Sequence, residues 1–260
     1  MMFNDERHNK ILEIIESDGR VEVVKLSELF KVSVDTIRRD LKKLEDEGLL
    51  KRTHGGAVRI KPMGDAFSYA TRKRIYSKEK MAIANSASKF IEDHDVLLVD
   101  GSTTISALVP IISSRKNLKV FTNNIQVAAE ILDKSDHIKV FMIGGMLDME
   151  HGTAVSHEAV ALIKKLRVNK VLIGSCAISP ERGLSSSEMD DAAIKKAMLK
   201  AGEKVYILAD HTKFKRESLI KVADLSTEYT IITDSNIILE QKEVYNALIE
   251  KGIPVIIADK

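Results

Sequence analysis

The sequence predicts an α/β protein in two parts: a small helical domain with a β-hairpin, and a larger domain built on a mostly parallel β-sheet. Before residue 60 the apolar residues recur with helical spacing, whereas from about residue 78 short β-branched runs alternate with helical patterns. Uninterrupted apolar runs of this kind are typical of parallel strands that helices cover on both faces. We therefore expect one domain over residues 1–60, a linker over residues 61–77 and a second domain over residues 78–260.

The composition indicates a globular chain. Of its 260 residues, 44% are hydrophobic and 30% are charged, and the net charge is only +2. No apolar run approaches the ~18 residues that span a bilayer, and the charged first ten residues do not resemble a signal peptide. The single cysteine cannot form an intramolecular disulfide. We expect a cytoplasmic protein without a membrane partner.

The apolar positions of the first 60 residues predict three helices and a hairpin. The hairpin turns at Gly55-Gly56, and the third helix ends at Gly48, because glycine readily adopts the conformations that such turns require. The three helices are predicted around Ile11, Leu12, Ile14 and Ile15, then over Val24–Phe30, then around Ile37, Leu41 and Leu44.

The second and third helices form a candidate DNA-reading unit, a helix-turn-helix, and the hairpin that follows would be its wing, as in a winged helix-turn-helix. Ser33 is placed to cap the third helix, and basic residues lie opposite Ile37. Arg38 or Arg39 could donate two hydrogen bonds to a guanine, whereas lysines suit phosphates. The alternative is an ordinary charged surface. The candidate DNA-binding residues are Ser33, Asp35, Thr36, Arg38, Arg39, Lys42 and Lys43 on the helix and Lys51, Arg52 and His54 on the wing.

Polar loops follow several strands of the second domain. The carboxyl ends of parallel strands meet at one edge of a sheet, and ligands bind there. Hydroxyl groups and N–H groups at a helix start suit an anion, although Ser102 or Thr103 could serve only as a helix cap. Amides and carboxylates suit sugar hydroxyls. The candidate effector-binding residues are Asp100, Gly101, Ser102, Thr103, Thr104, Thr122, Asn123, Asn124, Gly144, Gly145, Glu188, Asp210 and Lys213.

We expect no metal, no other cofactor and no catalytic residue. Acidic residues and histidines gather between Asp148 and Glu158, but the spacing of His151 and His157 does not place both on one helical face. No CxxC or HExxH pattern accompanies them. Cys176 follows an apolar strand, which favours a small buried side chain over a nucleophile.

Two runs carry a family resemblance. Val32-Ser33-x-x-Thr36-Ile37-Arg38-Arg39-Asp40-Leu41-x-x-Leu44-Glu45-x-x-Gly48 and the later His54-Gly55-Gly56-Ala57 resemble the DeoR-type helix-turn-helix. Asp40 is expected to pair with a neighbouring base and fix the arginine rotamers, or else to form a simple surface pair.

The second half resembles the sugar-binding domain of the same family, which is similar in fold to ribose-5-phosphate isomerases and CoA transferases. The chain departs from the family at Ser156-His157-Glu158, where a glycine is usual, so the edge of the pocket differs there. The matching elements are Asp100-Gly101-Ser102-Thr103-Thr104, Thr122-Asn123-Asn124, Gly144-Gly145, Ile173-Gly174 and Asp210-x-x-Lys213-Phe214.

The resemblance implies a transcriptional regulator, a repressor of a sugar or polyol catabolic operon that a phosphorylated sugar or polyol releases from operator DNA. One short recognition helix makes few contacts, so we expect a homo-oligomer, a dimer or a tetramer. An activator is one alternative. A second is an isomerase- or transferase-like enzyme with an accessory DNA-binding head, in which Asp100, Glu188 and Lys213 would supply acid–base groups.

Overall fold

The computed structural model describes residues 3–60, 67–149, 151–214 and 216–259. The chain divides into two compact units, one ending at Tyr76 and the other beginning at Ser77. The fold class expected from the sequence is confirmed. Of the expected linker, residues 61–66 lie outside the described residues, whereas Phe67, Ile75 and Tyr76 are buried in the core of the first unit.

The first unit contains four helices and a small antiparallel sheet among its described residues. The three predicted helices and both hairpin strands are confirmed, and a third strand, β1, pairs with β3 so that the order is β1-β3-β2. The elements are α1 (Asn4–Asp18), β1 (Arg20–Glu22), α2 (Val23–Phe30), α3 (Val34–Asp46), β2 (Lys51–Thr53), β3 (Gly56–Val58) and α4 (Tyr69–Arg74).

Apolar faces of α1, α2 and α3 form most of the core of this unit. Ile11, Ile15, Ile37 and Leu44 are fully buried, as their helical spacing predicts. Each such side chain contributes roughly 1.5–3 kcal/mol on leaving water. Gly48 follows α3 with a φ of 70°, a left-handed conformation that ends the helix.

The second unit is built on a seven-stranded parallel sheet with the order β15-β14-β12-β9-β4-β5-β6. The seven apolar runs of this part of the sequence each form one of its strands; they are residues 96–99, 118–121, 138–143, 171–173, 205–209, 229–232 and 255–258. The strands are β4 (Val96–Val99), β5 (Lys119–Thr122), β6 (Lys139–Met142), β9 (Val168–Gly174), β12 (Gly202–Leu208), β14 (Tyr229–Asp234) and β15 (Val255–Ala258).

Helices cover the two faces of the sheet, and each face has its own apolar core. Helices α5, α6 and α7 pack on one face, and α8, α9, α10 and α11 pack on the other. The helices are α5 (Ser77–Ser88), α6 (Thr103–Ser114), α7 (Ile125–Lys134), α8 (His157–Ile163), α9 (Met189–Leu199), α10 (Asn236–Glu240) and α11 (Lys242–Glu250), with a 3₁₀ helix at His211–Lys213. No helix among the described ranges is long and apolar enough to cross a membrane.

The strand order reverses between β4 and β9. From β4 the chain adds β5 and β6 toward one edge, and from β9 it adds β12, β14 and β15 toward the other. In open α/β sheets the crevice at such a reversal, beyond the carboxyl ends of the strands, is where ligands bind. Short strands form two further small antiparallel sheets: β7 (Leu147–Asp148) with β8 (Thr153–Ala154), and β10 (Ala177–Ser179), β11 (Gly183–Ser186) and β13 (Ile220–Ala223).

Candidate nucleic-acid interface and effector site

A tight turn joins α2 to α3. Lys31 adopts a left-handed conformation with a φ of 53°, and Ser27 Oγ donates a hydrogen bond to the carbonyl of Val32 at 2.7 Å. Ser33 Oγ then accepts the N–H of Thr36 at 3.1 Å, so Ser33 caps α3 as predicted. The turn fixes the direction in which α3 leaves α2.

The outer face of α3 is polar and solvent-exposed. Arg39 Nη2 lies 3.4 Å from Asp35 Oδ2, and Arg38 Nη1 lies 4.0 Å from Asp35 Oδ1. Because the side chains of Arg39 and Asp35 are 83% and 68% exposed, this ion pair contributes little and is easily exchanged for a contact with DNA. Lys42 and Lys43 are exposed on the same helix, whereas Thr36 is half-buried.

Asp40 lies on the inner side of α3, and its predicted role beside the two arginines is wrong. It is 7% exposed and accepts hydrogen bonds from Arg7 Nε at 2.6 Å and Arg7 Nη2 at 3.0 Å. His8 Nε2 lies 3.0 Å from Asp40 Oδ1, the oxygen that also accepts from Arg7 Nη2. Burial alone would raise the pKa of Asp40, but the contacts with Arg7 and His8 outweigh it and lower that pKa. Asp40 therefore joins α3 to α1 and leaves Arg38 and Arg39 to solvent.

The wing is held against the rest of the first unit. Its three candidate DNA-binding residues, Lys51, Arg52 and His54, are exposed, and the backbone N–H of Arg52 donates to Glu45 Oε1 at 2.8 Å. A Cβ atom at Gly56 would lie 1.8 Å from the carbonyl oxygen of Val21. A glycine is therefore required where β3 meets β1.

In the second unit, Asp100 follows β4 and is 2% exposed. Its Oδ1 accepts the N–H of Ser102 at 3.0 Å, and its Oδ2 accepts the N–H of Gly174, at the end of β9, at 3.0 Å. Lys195 Nζ lies 3.4 Å from the same Oδ2. Asp100 thus connects the ends of two adjacent strands at the reversal of strand order.

The loop after Asp100 opens α6. Ser102 Oγ accepts the N–H of Ile105 at 3.2 Å, so Ser102 serves as the helix cap that the sequence left as an alternative role. Thr103 and Thr104 occupy the first turn and are buried. This first turn presents backbone N–H groups and the positive end of the helix dipole, which favour an anion.

Asn124 caps the start of α7, as Ser102 caps the start of α6. Its Oδ1 accepts the N–H of Val127 at 2.9 Å, and its Nδ2 donates to the carbonyl of His151 at 2.9 Å. Thr122 Oγ1 accepts the N–H of Asn124 at 3.2 Å. A Cβ atom at Gly101 would lie 2.4 Å from Asn124 Nδ2, so the loops after β4 and β5 touch. Both the oxygen and the nitrogen of the Asn124 amide therefore have a hydrogen-bond partner within the protein.

Asn123 differs from its neighbour. The side chain is fully buried, and its Nδ2 donates to the carbonyl of Ala154 at 3.0 Å. Among the described residues, nothing donates a hydrogen bond to its Oδ1. Buried acceptors normally have a donor, so this oxygen is a position for a hydroxyl group of a ligand or for water.

The Gly144-Gly145 loop after β6 meets the segment in which the chain departs from its family. A Cβ atom at Gly145, whose φ is 145°, would lie 2.5 Å from Ser156 Oγ. Ser156 itself caps α8 by accepting the N–H of Ala159 at 3.2 Å. The two glycines therefore allow the loop to approach this serine closely.

Asp210 and Lys213 follow β12. Asp210 is 1% exposed and accepts the N–H of Thr212 at 3.0 Å as well as the Thr212 hydroxyl group. Burial alone would raise its pKa, but Lys213, Lys80 and Thr212 outweigh that effect and lower it. Asp210 is thus an anion within a cationic neighbourhood. Glu188, the remaining candidate, is exposed at the start of α9.

Sequence reasoning missed a partly buried ion pair on α9. Lys195 Nζ lies 2.6 Å from Asp191 Oδ1, and Ser186 Oγ donates to Asp191 Oδ2 at 2.6 Å. Cys176 Sγ lies 3.8 Å from Ser186 Oγ and is half-buried, so the expected burial of this cysteine is only partial. The spacing of four residues predicts the Asp191–Lys195 pair on a helix, but no local signal connects it to Asp100.

A helix-turn-helix unit with an exposed basic helix, joined to an α/β unit with polar loops at the reversal of its strand order, defines a DNA-binding regulator with a ligand-sensing domain. Residues 7–63 match the DeoR-like helix-turn-helix domain, and residues 76–235 match the DeoR C terminal sensor domain. The chain belongs to the DeoR family of transcriptional regulators and is not an enzyme.

The relatives are named regulators. The chain is 30% identical to the HTH-type transcriptional repressor GlcR of Bacillus subtilis, over 100% of this chain and 98% of that one. It is 29% identical to the glycerol-3-phosphate regulon repressor of Escherichia coli, over 90% and 92% of the two chains. The chain also has a distant likeness to a solved structure of D-ribose-5-phosphate isomerase. The two align over 53% of this chain and 54% of the isomerase, with 14% identity and a TM-score of 0.40, a similarity too low to indicate a shared activity.

Proposed function

We propose that this protein represses a sugar or polyol catabolic operon in the cytoplasm and that a phosphorylated sugar or polyol releases it from operator DNA. The names of the relatives support this assignment, because they include repressors of the glycerol-3-phosphate regulon. A dimer or a tetramer would place recognition helices in two half-sites.

The exposed outer face of α3 carries the DNA-binding part of the proposal. With its inner side held by Asp40, α3 presents its N-terminal turn and its two arginines to a major groove, where Arg38 or Arg39 reads a guanine. Backbone contacts fall to the remaining candidates, which position the protein without reading sequence. They are Ser33, Asp35, Thr36, Lys42 and Lys43 on α3 and Lys51, Arg52 and His54 on the wing.

The polar loops at the carboxyl edge of the sheet carry the sensing part. The phosphate group of the effector would bind at the first turn of α6, with Lys213 as its cation. An effector that prefers the state unable to bind DNA by about 1–3 kcal/mol would weaken operator binding roughly 5- to 150-fold, which is sufficient to switch an operon. The hydroxyl-binding candidates are Asp100, Asn123, Asn124, Glu188 and Asp210.

Fluorescence anisotropy of a labelled fragment from the gene's own upstream region tests both parts. The fragment is titrated with protein and then with hexose phosphates, polyol phosphates, glycerol phosphate and inorganic phosphate. Specific binding that one phosphorylated sugar or polyol releases is the expected result. No preference over random DNA at moderate salt would contradict the DNA-binding part, and specific binding that no compound releases would contradict the sensing part.

The Lys213→Ala variant tests the phosphate site. It should bind the fragment as the wild-type protein does yet fail to respond to the effector, because the cation that holds the phosphate group is absent. Lys204→Ala is the matched control, since Lys204 is an exposed lysine near the opposite end of β12. Normal release of DNA from the Lys213→Ala variant would remove Lys213 from the site.

A further inference from the structure

We propose that the hydroxylated end of the effector, and not its phosphate group, binds at the partly buried cluster of Asp100, Asp191 and Lys195, which we call the carboxylate–lysine cluster. The inference rests on the proposed function, because it assigns the other end of the same ligand. It adds Asp191 and Lys195 to the binding residues and makes the hydroxyl pattern of the ligand the source of specificity.

The carboxylate–lysine cluster occupies the reversal of strand order. Asp100 follows β4 and accepts the N–H of Gly174 at the end of β9 at 3.0 Å, and these are the two strands between which the order reverses. Helix α9 brings Lys195 Nζ to 3.4 Å from Asp100 and to 2.6 Å from Asp191. The crevice at such a reversal is the expected ligand position in an open α/β sheet.

The charge of the cluster favours hydroxyl groups over phosphate. Burial alone would lower the pKa of Lys195, but Asp191 and Asp100 outweigh that effect and raise it, so the lysine remains an ammonium group. One ammonium between two carboxylates leaves a net charge of about one negative unit, which repels a phosphate dianion. Carboxylate oxygens accept more than one hydrogen bond each, so they can receive the hydroxyl protons of a polyol.

Asn123 supplies an independent indication of a hydrogen-bond donor from outside the protein. Val99 and Thr122 are register partners in β4 and β5, and Asp100 and Asn123 are the next residue of each strand, so they lie side by side. Asn123 is fully buried, and its Oδ1 receives no hydrogen bond from the residues that the structure describes. A ligand hydroxyl that contacts the cluster could donate to this oxygen.

The ligand class follows from these groups. An effector with hydroxyl groups on the carbons remote from its phosphate would satisfy the carboxylates and the amide together. A site that hydrogen-bonds a hydroxyl group discriminates strongly against the deoxy analogue, because its polar groups are then left unpaired. We therefore expect a phosphorylated polyol or sugar to bind much more tightly than its deoxy counterpart.

The single cysteine of the chain provides the test. Cys176 Sγ lies 3.8 Å from Ser186 Oγ, and Ser186 in turn donates to Asp191, so the thiol adjoins the cluster. The full-length protein is treated with iodoacetamide, and the alkylated fraction is followed by mass spectrometry. The additions are glucose phosphate, sorbitol phosphate, fructose phosphate, deoxyglucose phosphate and inorganic phosphate. The compound that releases operator DNA should slow alkylation about tenfold or more, and inorganic phosphate should not.

Asp191→Asn tests the cluster itself, and Asp190→Asn is the matched control because Asp190 is its exposed neighbour on α9. Loss of the carboxylate should weaken binding of the hydroxylated ligand about 10- to 100-fold in calorimetric titrations, the range for a hydrogen bond to a charged group. Binding of inorganic phosphate should not change, which separates a binding role from general damage to the fold. Ser186→Ala, which removes the hydroxyl group that positions Asp191, is the second variant if Asp191→Asn does not fold.

The outcomes separate this inference from the proposed function. If a compound releases operator DNA but leaves the alkylation rate of Cys176 unchanged and binds the Asp191→Asn variant normally, the cluster is not a subsite and the repressor assignment stands. Equal protection of Cys176 by inorganic phosphate would also overturn the inference, because the cluster would then hold the phosphate group. If no compound releases DNA or protects Cys176, the sensing function itself fails and the inference fails with it.

Discussion

A buried carboxylate in the middle of α3 anchors that helix to α1. Asp40 accepts two hydrogen bonds from Arg7 and lies 3.0 Å from His8. Removing one partner of a buried ion pair typically costs about 3 kcal/mol or more. Asp40→Asn should therefore lower the unfolding temperature of the first unit by about 10 °C or more in calorimetry. Asp46→Asn, an exposed change on the same helix, should have almost no effect.

The stabilisation that Asp40 provides should decrease at low pH. The pKa of Asp40 is lower in the folded chain than its ordinary value of 3.8, so the stabilisation is present above the ordinary pKa and disappears as the pH falls through the folded value. The stability difference between the wild-type protein and Asp40→Asn should be constant above about pH 5 and shrink below about pH 4. A difference that persists undiminished at low pH would contradict the ionic contribution.

Two exposed residues of α3 should differ in what they contribute to binding. Arg39→Ala should weaken operator binding by roughly 1–3 kcal/mol and relax specificity at one base pair, because it removes a bidentate contact with a base. Lys42→Ala should weaken binding to all sequences alike and reduce the salt slope by about one unit. Gel-shift titrations at several salt concentrations distinguish the two, with Lys10→Ala on α1 as the control. Unchanged affinity in Arg39→Ala would reject its assignment.

At the scale of elements, the wing depends on one close approach of two strands. A Cβ atom at Gly56 would lie 1.8 Å from the carbonyl oxygen of Val21, whereas a Cβ atom at Gly55 would meet nothing within 4 Å. Gly56→Ala should therefore separate β3 from β1, destabilise the first unit by roughly 1–3 kcal/mol and weaken DNA binding. Gly55→Ala should change neither. Equal unfolding temperatures of the two variants would show that the wing accommodates a methyl group at position 56.

The elements that sequence reasoning recovered are those with a strong local pattern. Seven apolar runs gave seven strands, and three helical patterns gave α1, α2 and α3. β1 was missed because Arg20-Val21-Glu22 has a single apolar residue and pairs with a strand more than thirty residues away. The strand order is likewise set by contacts between distant segments, which periodicity does not encode.

In the candidate site, too, sequence reasoning found the residues with a local signal and missed those that only distant contacts bring together. The loops after β4, β5 and β12 were predicted because strand ends in a parallel sheet converge, and the structure joins Asp100 to Gly174 and brings Gly101 against Asn124. Lys195 was missed because its link to Asp100 spans ninety-five positions of the chain. The hydroxyl group of Ser102, a candidate ligand contact in the sequence, caps α6 in the structure.

At the scale of the whole molecule, the proposed oligomer makes a prediction about DNA geometry. Two recognition helices related by a twofold axis read half-sites about 34 Å apart, one turn of the double helix, or a multiple of it. A fragment with both half-sites should bind far more tightly than a fragment with one, and a half-turn insertion between them should abolish the gain. Anisotropy with the three fragments, with sedimentation to determine the oligomer, measures this. Equal affinity for all three would contradict a symmetric dimer.

The contact between Asp40 and Arg7 also limits how operator preference can be re-engineered. A recognition helix transplanted whole from another regulator would bring its own inner face, and a hydrophobic or cationic residue at position 40 would leave the guanidinium of Arg7 buried without its carboxylate. Only the outward positions, such as Arg38, Arg39 and Lys42, are exchangeable one by one. Chimaeras of this protein should therefore treat α1 and α3 as one inherited block.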